Sequence, residues 1–221
     1  MAELKVSTTR EINSALRKQM EASKNIKIGG VSGHECIAVG IEKDVKITVN
    51  GRVGDFFGAL NSGASIILNG NANRYLGDSM LSGEIIVNGE VGNGLGIYMQ
   101  GGIIILKGDA KNYVGKGLHG GIIIIDGGAG DELGSYMFGG EIVVTGDCGK
   151  EIGKFMSSGT IYVGGSVVSL GRNAKFEKMS NPDVEKIKKY CESYRLKQFR
   201  NEELFSFKKI VPSGAKPWKK L

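Results

Sequence analysis

Residues 102–120 read GIIILKGDAKNYVGKGLHG, and the nineteen that follow, 121–139, read GIIIIDGGAGDELGSYMFG. The glycines, the aliphatic run and the spacing coincide, so the pair defines a repeat whose register can be followed in both directions. One ladder runs Gly51, Gly70, Gly89, Gly108, Gly127, Gly146, Gly165. A second, seven residues later, runs Gly58, Gly77, Gly96, Gly115, Gly134, Gly153, and a third runs Gly83, Gly102, Gly121, Gly140, Gly159. Three phased ladders without an insertion identify repeated structural units. They also explain the composition, in which 36 of 221 residues are glycine and only three are proline. That is roughly twice the ordinary glycine share of ~7%, without the proline of collagen or of a low-complexity linker.

Each column of the repeat has one character. Four residues before the first glycine stand Ile47, Ile66, Ile85, Ile104, Ile123, Ile142 and Ile161; two before it stand Val49, Leu68, Val87, Leu106, Ile125, Val144 and Val163. Two residues after it the column is Val53, Ala72, Val91, Ala110, Ala129, Cys148, Val167, all small and apolar. Further inward columns are Phe57, Leu76, Leu95, Val114, Leu133, Ile152 and Met80, Met99, Leu118, Met137, Met156. The column four after the glycine, from Asp55 and Arg74 to Asp131 and Lys150, is polar and reads as facing water. Alternation every second residue is the period of a strand. Helical repeats need units of roughly 30 to 45 residues, and interior glycine costs a helix about 1 kcal/mol against alanine. The expected fold is therefore all-β: a parallel β-solenoid of about seven 19-residue coils, stacked to a length of roughly 30 Å.

The flanks differ. Thr8-Thr9-Arg10-Glu11 matches a capping box, with Ile12, Leu16 and Met20 on one helical face. Ser180-Asn181-Pro182-Asp183 is a helix start, followed by Val184, Ile187, Cys191 and Tyr194 at helical spacing. This divides the chain into residues 1–44, an N-terminal helix with an irregular lead-in; 45–171, the solenoid; and 172–221, a basic C-terminal helix and extended arm. The formal charge of +6 belongs to the last part, where fourteen Lys/Arg face six Asp/Glu. Acids interrupt that basic run, so a solvated helix face or an arm on an acidic partner accounts for it better than nucleic acid. No apolar run approaches the ~20 residues of a membrane span, and neither the start of the chain nor its three cysteines, Cys36, Cys148 and Cys191, points away from the cytoplasm.

Motifs that carry chemistry elsewhere are absorbed by the repeat. Gly115-Lys116-Gly117-Leu118-His119-Gly120 satisfies the dinucleotide fingerprint, but its glycines are repeat positions and no helix is expected after it. Gly77-Asp78-Ser79-Met80 resembles an esterase nucleophile block, which makes a small esterase using Ser79 an alternative. A serine needs a base in reach, and His119 lies two coils away. His34 beside Glu35 is too little for a metal site. The sequence assigns no catalytic, cofactor-binding or metal-binding residue. It does present Ile67, Ile86, Ile105, Ile124, Val143 and Tyr162, with Ile103 and Ile122, on the outer face of the strands. Left wet, this stripe represents on the order of 10 kcal/mol, so either the terminal helices or another subunit, including a second copy of the chain, is expected to cover it.

The repeat Gly-x-Ile-Ile-Val-x-Gly-x-x-Gly-x-x-x-Gly-x-x-Met resembles the GXGXG family, which comprises the C-terminal β-helix domain of the glutamate synthase large subunit and the β-helix subunit of formylmethanofuran dehydrogenase. Gly51-Arg-Val-Gly-Asp-Phe-Phe-Gly, Gly70-Asn-Ala-Asn-Arg-Tyr-Leu-Gly and above all Lys111-Asn-Tyr-Val-Gly-Lys-Gly-Leu-His-Gly-Gly121 are similar to the glutamate synthase branch. The resemblance implies a single-stranded right-handed parallel β-helix in stand-alone form, acting as a non-catalytic scaffold subunit. It implies partners: an amidotransferase subunit that releases the glutamine amide nitrogen, and a synthase subunit, carrying FMN and an iron–sulfur cluster, that joins it to 2-oxoglutarate. The alternative within the family is the corresponding subunit of a formylmethanofuran-dehydrogenase-like oxidoreductase.

Overall fold

Each repeat places its aliphatic run in one short strand. The computed structural model describes residues 8–196 and 199–214. The strands β1 (Asn25–His34), β2 (Lys46–Val53), β3 (Ser62–Asn69), β4 (Ser82–Asn88), β5 (Ile103–Lys107), β6 (Ile122–Ile125), β7 (Glu141–Val144) and β8 (Thr160–Val163) stack in chain order, each parallel to the next. The register advances by one repeat per coil, so Ile47, Ile66, Ile85, Ile104, Ile123, Ile142 and Ile161 lie directly over one another. A second line of single-residue parallel bridges joins Val53, Ala72, Val91, Ala110, Ala129, Cys148 and Val167. The architecture is thus a parallel β-solenoid of about seven turns with three short helices.

The interior is a set of like-on-like ladders. The isoleucine column, the Phe57–Ile152 column and the methionine column are all shielded from solvent. Two glycine ladders are required for different reasons. A Cβ on Gly70 would overlap the carbonyl oxygen of Gly51 in the coil before it, so the first ladder marks backbone touching backbone. Gly77 has φ +66°, and its Cβ would stand 2.5 Å from Cδ1 of Ile104. The second ladder therefore combines a left-handed turn with contact against the isoleucine of a later coil.

Polar side chains tie the coils together on the outside. Asn88 donates to Asn69 and Asn69 to Asn50, each at 2.8 Å. Asn93 accepts from Asn112 N, Asn112 from Asp131 N and Asp131 from Lys150 N, at 3.1, 2.9 and 2.7 Å. Asp55 departs from the expectation that its column faces water. It is 6% exposed, because its carboxylate accepts from the backbone and the guanidinium of Arg74.

The two ends close differently. At the start, Thr8 caps α1 (Thr9–Ala22) through the expected box, and Ile12 and Leu16 enter the main core. Asn13 donates to Cys36 O (2.8 Å) and accepts from Ala38 N (3.1 Å), so the helix supplies partners for a first turn that has no coil before it. At the far end, the stretch read as an extended arm folds back in part. It forms α3 (Asn201–Phe205) and β10 (Lys208–Pro212), which runs antiparallel between β8 and β9 (Ala174–Glu177). Ile210 pairs with Ile161 and fills the last place in the isoleucine column. Reversing the strand direction ends the parallel stack, since a further coil no longer finds its register. Residues 215–221, also read as part of the arm, lie outside the described residues.

Candidate functional site

The outer stripe is where the sequence locates function, and the chain itself covers much of it. Helix α2 (Asn181–Tyr194) lies on the strands, and Val184, Ile187 and Cys191, joined by Leu196, Leu204 and Phe207, form a second core with Ile105, Ile124, Val143 and Tyr162. Ile86, Ile103 and Ile122 are partly buried against that cluster, while Ile67 is half-buried outside it. Of the two expected covers, the folded-back C-terminal segment occupies the last four coils, β5 to β8. Ile105, Ile124, Val143 and Tyr162 are thereby buried within the chain itself, whereas Ile67, Ile86, Ile103 and Ile122 keep part of their surface.

Charged groups hold the cover down. Asp183 accepts from the Tyr162 hydroxyl (2.6 Å), from Ser180 N (2.9 Å) and from Lys209 Nζ (3.1 Å). Burial pushes its carboxyl up, but the donors from Ser180, Tyr162 and Lys209 outweigh that and hold it well below the usual range. Burial, followed by the bond to Asp183, pushes the Tyr162 phenol up. Glu141 pairs with Lys186 and accepts from the Tyr190 hydroxyl (2.9 Å). The buried thiols are inert: burial raises Cys148 to about 12 and Cys191 to about 11. Cys36 is exposed. A thiol-reactive chromophore is therefore expected to titrate one cysteine in the native chain and three after denaturation; two fast native equivalents would show that α2 lifts from Cys191.

The residues weighed for catalysis do not converge. Ser79 Oγ donates to Asp78 (2.9 Å), while the ring of His119 stacks on Phe138 at 4.9 Å. His34 accepts from Ser32 N (3.2 Å). The Gly115–Gly120 motif is a turn followed by β6, not by a helix. Among the described residues no three His, Cys, Asp or Glu side chains gather as metal ligands, and no helix is long and apolar enough to cross a membrane.

One feature escaped the column reading. Five and nine residues after the first glycine, the backbone is left-handed in the six coils from Gly51 to Gly146 although most residues there are bulky: Phe56, Tyr75 and Tyr113 in one line, Tyr98, Tyr136 and Phe155 in the other, with φ between 53° and 65°. These rings form a ridge along the turn corner. Phe56 stacks on Tyr75 (5.0 Å), Tyr136 meets Phe155 (5.4 Å), and Lys116 Nζ joins the two lines at 5.3 Å from Tyr113 and 5.7 Å from Tyr136. Glycines leave room for rings of the preceding coil: a Cβ on Gly117 would be 2.6 Å from Tyr98, and one on Gly94 2.8 Å from Tyr75. Tyr98 remains 52% exposed, and Leu60, Leu81 and Phe138 extend the apolar surface. The signal was present in the aligned repeats as aromatic entries in two otherwise variable columns.

Fold and surface together define a β-solenoid with an aromatic corner and no assembled active site among the described residues. The chain carries the GXGXG motif, whose family model matches residues 5–90. Among solved structures it is similar to a chain of the formyltransferase/hydrolase complex FhcABCD from Methylorubrum extorquens in complex with methylofuran, at 24% identity and a TM-score of 0.72, over 83% of this chain and 71% of that one. No curated protein matches the sequence.

Proposed function

We propose that this chain is the β-solenoid subunit of a multisubunit enzyme related to formylmethanofuran dehydrogenase, working in the cytoplasm, where it positions catalytic partners and contributes no reacting group. The observation that carries this reading is the shared solenoid with a component of a formyltransferase/hydrolase complex, over 83% of the chain. The aromatic ridge supplies the contact surface, since exposed tyrosines are the side chains most often dominant in protein interfaces. The glutamate-synthase scaffold, with its amidotransferase and FMN/iron–sulfur partners, is the second reading. It rests on the Lys111–Gly121 segment and on a repeat that both branches share.

Native purification of the tagged chain from its own cells separates the two. Recovery of formyltransferase- or hydrolase-type subunits in fixed stoichiometry is the expected result; an amidotransferase with a flavoprotein moves the chain to the second reading; a chain that is always monomeric and alone overturns both. Tyr98→Ala with Tyr136→Ala is expected to reduce partner recovery by about tenfold or more, as loss of interface hot spots does, with the thermal midpoint of the isolated chain little changed.

A further inference from the structure

Beside the aromatic ridge, where Arg74 lies over the Tyr75 ring (5.8 Å), the residues just after the first glycine ladder enclose an open hollow of about 580 Å³ across four coils. Ala72, Val91 and Gly92 line it together with Arg52, Arg74, Lys111, Glu90 and three asparagines. Residues 45–171 carry eight Lys/Arg against eleven Asp/Glu. Three of those eight cations meet here; Asp55 pairs with Arg74 and Glu90 lines the hollow, which leaves one net positive charge from Arg52 and Lys111 on an acidic solenoid.

The asparagines sharpen this. Asn71 Oδ1 accepts from Glu90 N (2.9 Å), Asn93 Oδ1 from Asn112 N (3.1 Å) and Asn73 Oδ1 from Arg52 Nη2 (3.0 Å). Each partner is an N–H donor and requires an oxygen, so the orientation of all three amides is fixed by the network. Their oxygens are committed and their NH2 groups remain as donors. Arg74 is held through Nε and Nη2 on Asp55 Oδ2 (3.0 and 2.7 Å), which fixes the guanidinium and leaves Nη1 available. Lys111 adds an exposed ammonium. Apart from the Glu90 carboxylate, the side-chain polarity left over in this hollow consists of donors and positive charge.

We propose that this hollow binds a small multivalent oxyanion, a molecule bearing two or more carboxylate or phosphate groups. Acceptor-rich ligands are the ones that satisfy clustered N–H donors without leaving any unmet, and the cations raise the local concentration of anions. A neutral or cationic ligand would leave the three amide NH2 groups and the Lys111 ammonium unanswered. Arg52 and Lys111 face the ligand from opposite ends, with Asn73 between them and Arg74 as the fixed wall.

Titration calorimetry of the full chain with citrate and with pyrophosphate, at ionic strength matched with sodium chloride, tests this and separates the two ligand sources. Saturable 1:1 binding of at least one probe is expected, and its identity tells carboxylate from phosphate recognition. Arg52→Ala with Lys111→Ala is expected to weaken it by about tenfold or more, the loss of two charge-assisted contacts. Asn73→Asp keeps the oxygen that Arg52 needs while replacing a donor with a negative charge, and is expected to weaken binding as well. Lys188→Ala with Lys189→Ala, on α2, is expected to leave it unchanged. Absence of saturable binding with both probes overturns the proposal, as does binding that survives the Arg52/Lys111 change or disappears with the Lys188/Lys189 change.

Discussion

Gly115→Val is expected to lower the thermal midpoint by about 5–15 °C, given ~2–4 °C per kcal/mol for a chain of this size. Gly115 sits at φ +59°, and its Cβ would lie 2.6 Å from Ile142 Cδ1 and 3.3 Å from Ile123 Cδ1. Holding a side-chain-bearing residue in the left-handed region costs roughly 1–2 kcal/mol, and forcing methyl groups into a filled core costs about 1–3 kcal/mol. The two act together here, because the turn that needs φ > 0 also points the new side chain inward. Ser79→Gly is the control: Ser79 has φ +54° but its side chain points out to Asp78, so relief of the backbone offsets loss of one hydrogen bond and the change stays within about 1 kcal/mol. Circular dichroism melts of both variants measure the difference. A loss in Gly115→Val no larger than the roughly 1–2 kcal/mol of a left-handed side chain would mean that the backbone alone, and not the isoleucine contact, demands glycine in this column.

The same contrast explains what could be read in the sequence. The second ladder is glycine in six coils because its Cβ positions meet the isoleucines of later coils. The left-handed residues two before and two after it face solvent, so chemistry there is free and Phe56, Tyr75, Glu132 and Ser79 all occur. A forbidden side chain leaves a mark in the sequence; a strained but tolerated one does not. For that reason the strands, the coil count and the three glycine ladders were legible, whereas the aromatic ridge left only scattered aromatic entries in two variable columns. The outer stripe was legible as an apolar face, but its cover was not. Whether α2 or another chain lies there depends on pairings such as Tyr162 with Asp183 and Glu141 with Lys186, each joining residues at least twenty positions apart. The hollow was invisible for a related reason: it comes from Arg52, Asn73 and Lys111 meeting across coils, in columns whose other members are unrelated.

Asp183→Ala is expected to release the C-terminal cover, at a cost of about 3–5 kcal/mol for breaking a buried, hydrogen-bonded charge cluster from one side. The carboxylate takes bonds from the hydroxyl of Tyr162, a residue that is 1% exposed, and from Lys209, and it closes the capping box of α2 through Ser180 N. Alanine leaves the phenol without its acceptor, leaves Lys209 with Glu177 alone, and opens the first turn of the helix. The consequence falls on the outer face: Ile105, Ile124 and Val143 lose the side chains of Val184, Ile187 and Cys191, so dye binding to apolar surface rises and amide exchange quickens in α2 before it does in the solenoid interior. The same group sets an acid limit. Its folded pKa lies below the unfolded value near 3.8, so its contribution is complete above that value and is lost as pH falls through it toward the folded value. The native chain should therefore loosen its cover below about pH 4, whereas Asp183→Ala should show no such step from this site. Asp183→Asn keeps an acceptor for Tyr162 without the charge for Lys209, and should fall between the two. Exchange in α2 that is unchanged in Asp183→Ala would show that the apolar contacts hold the helix without the charge cluster, and the ion pairs would then serve to fix its register along the strands.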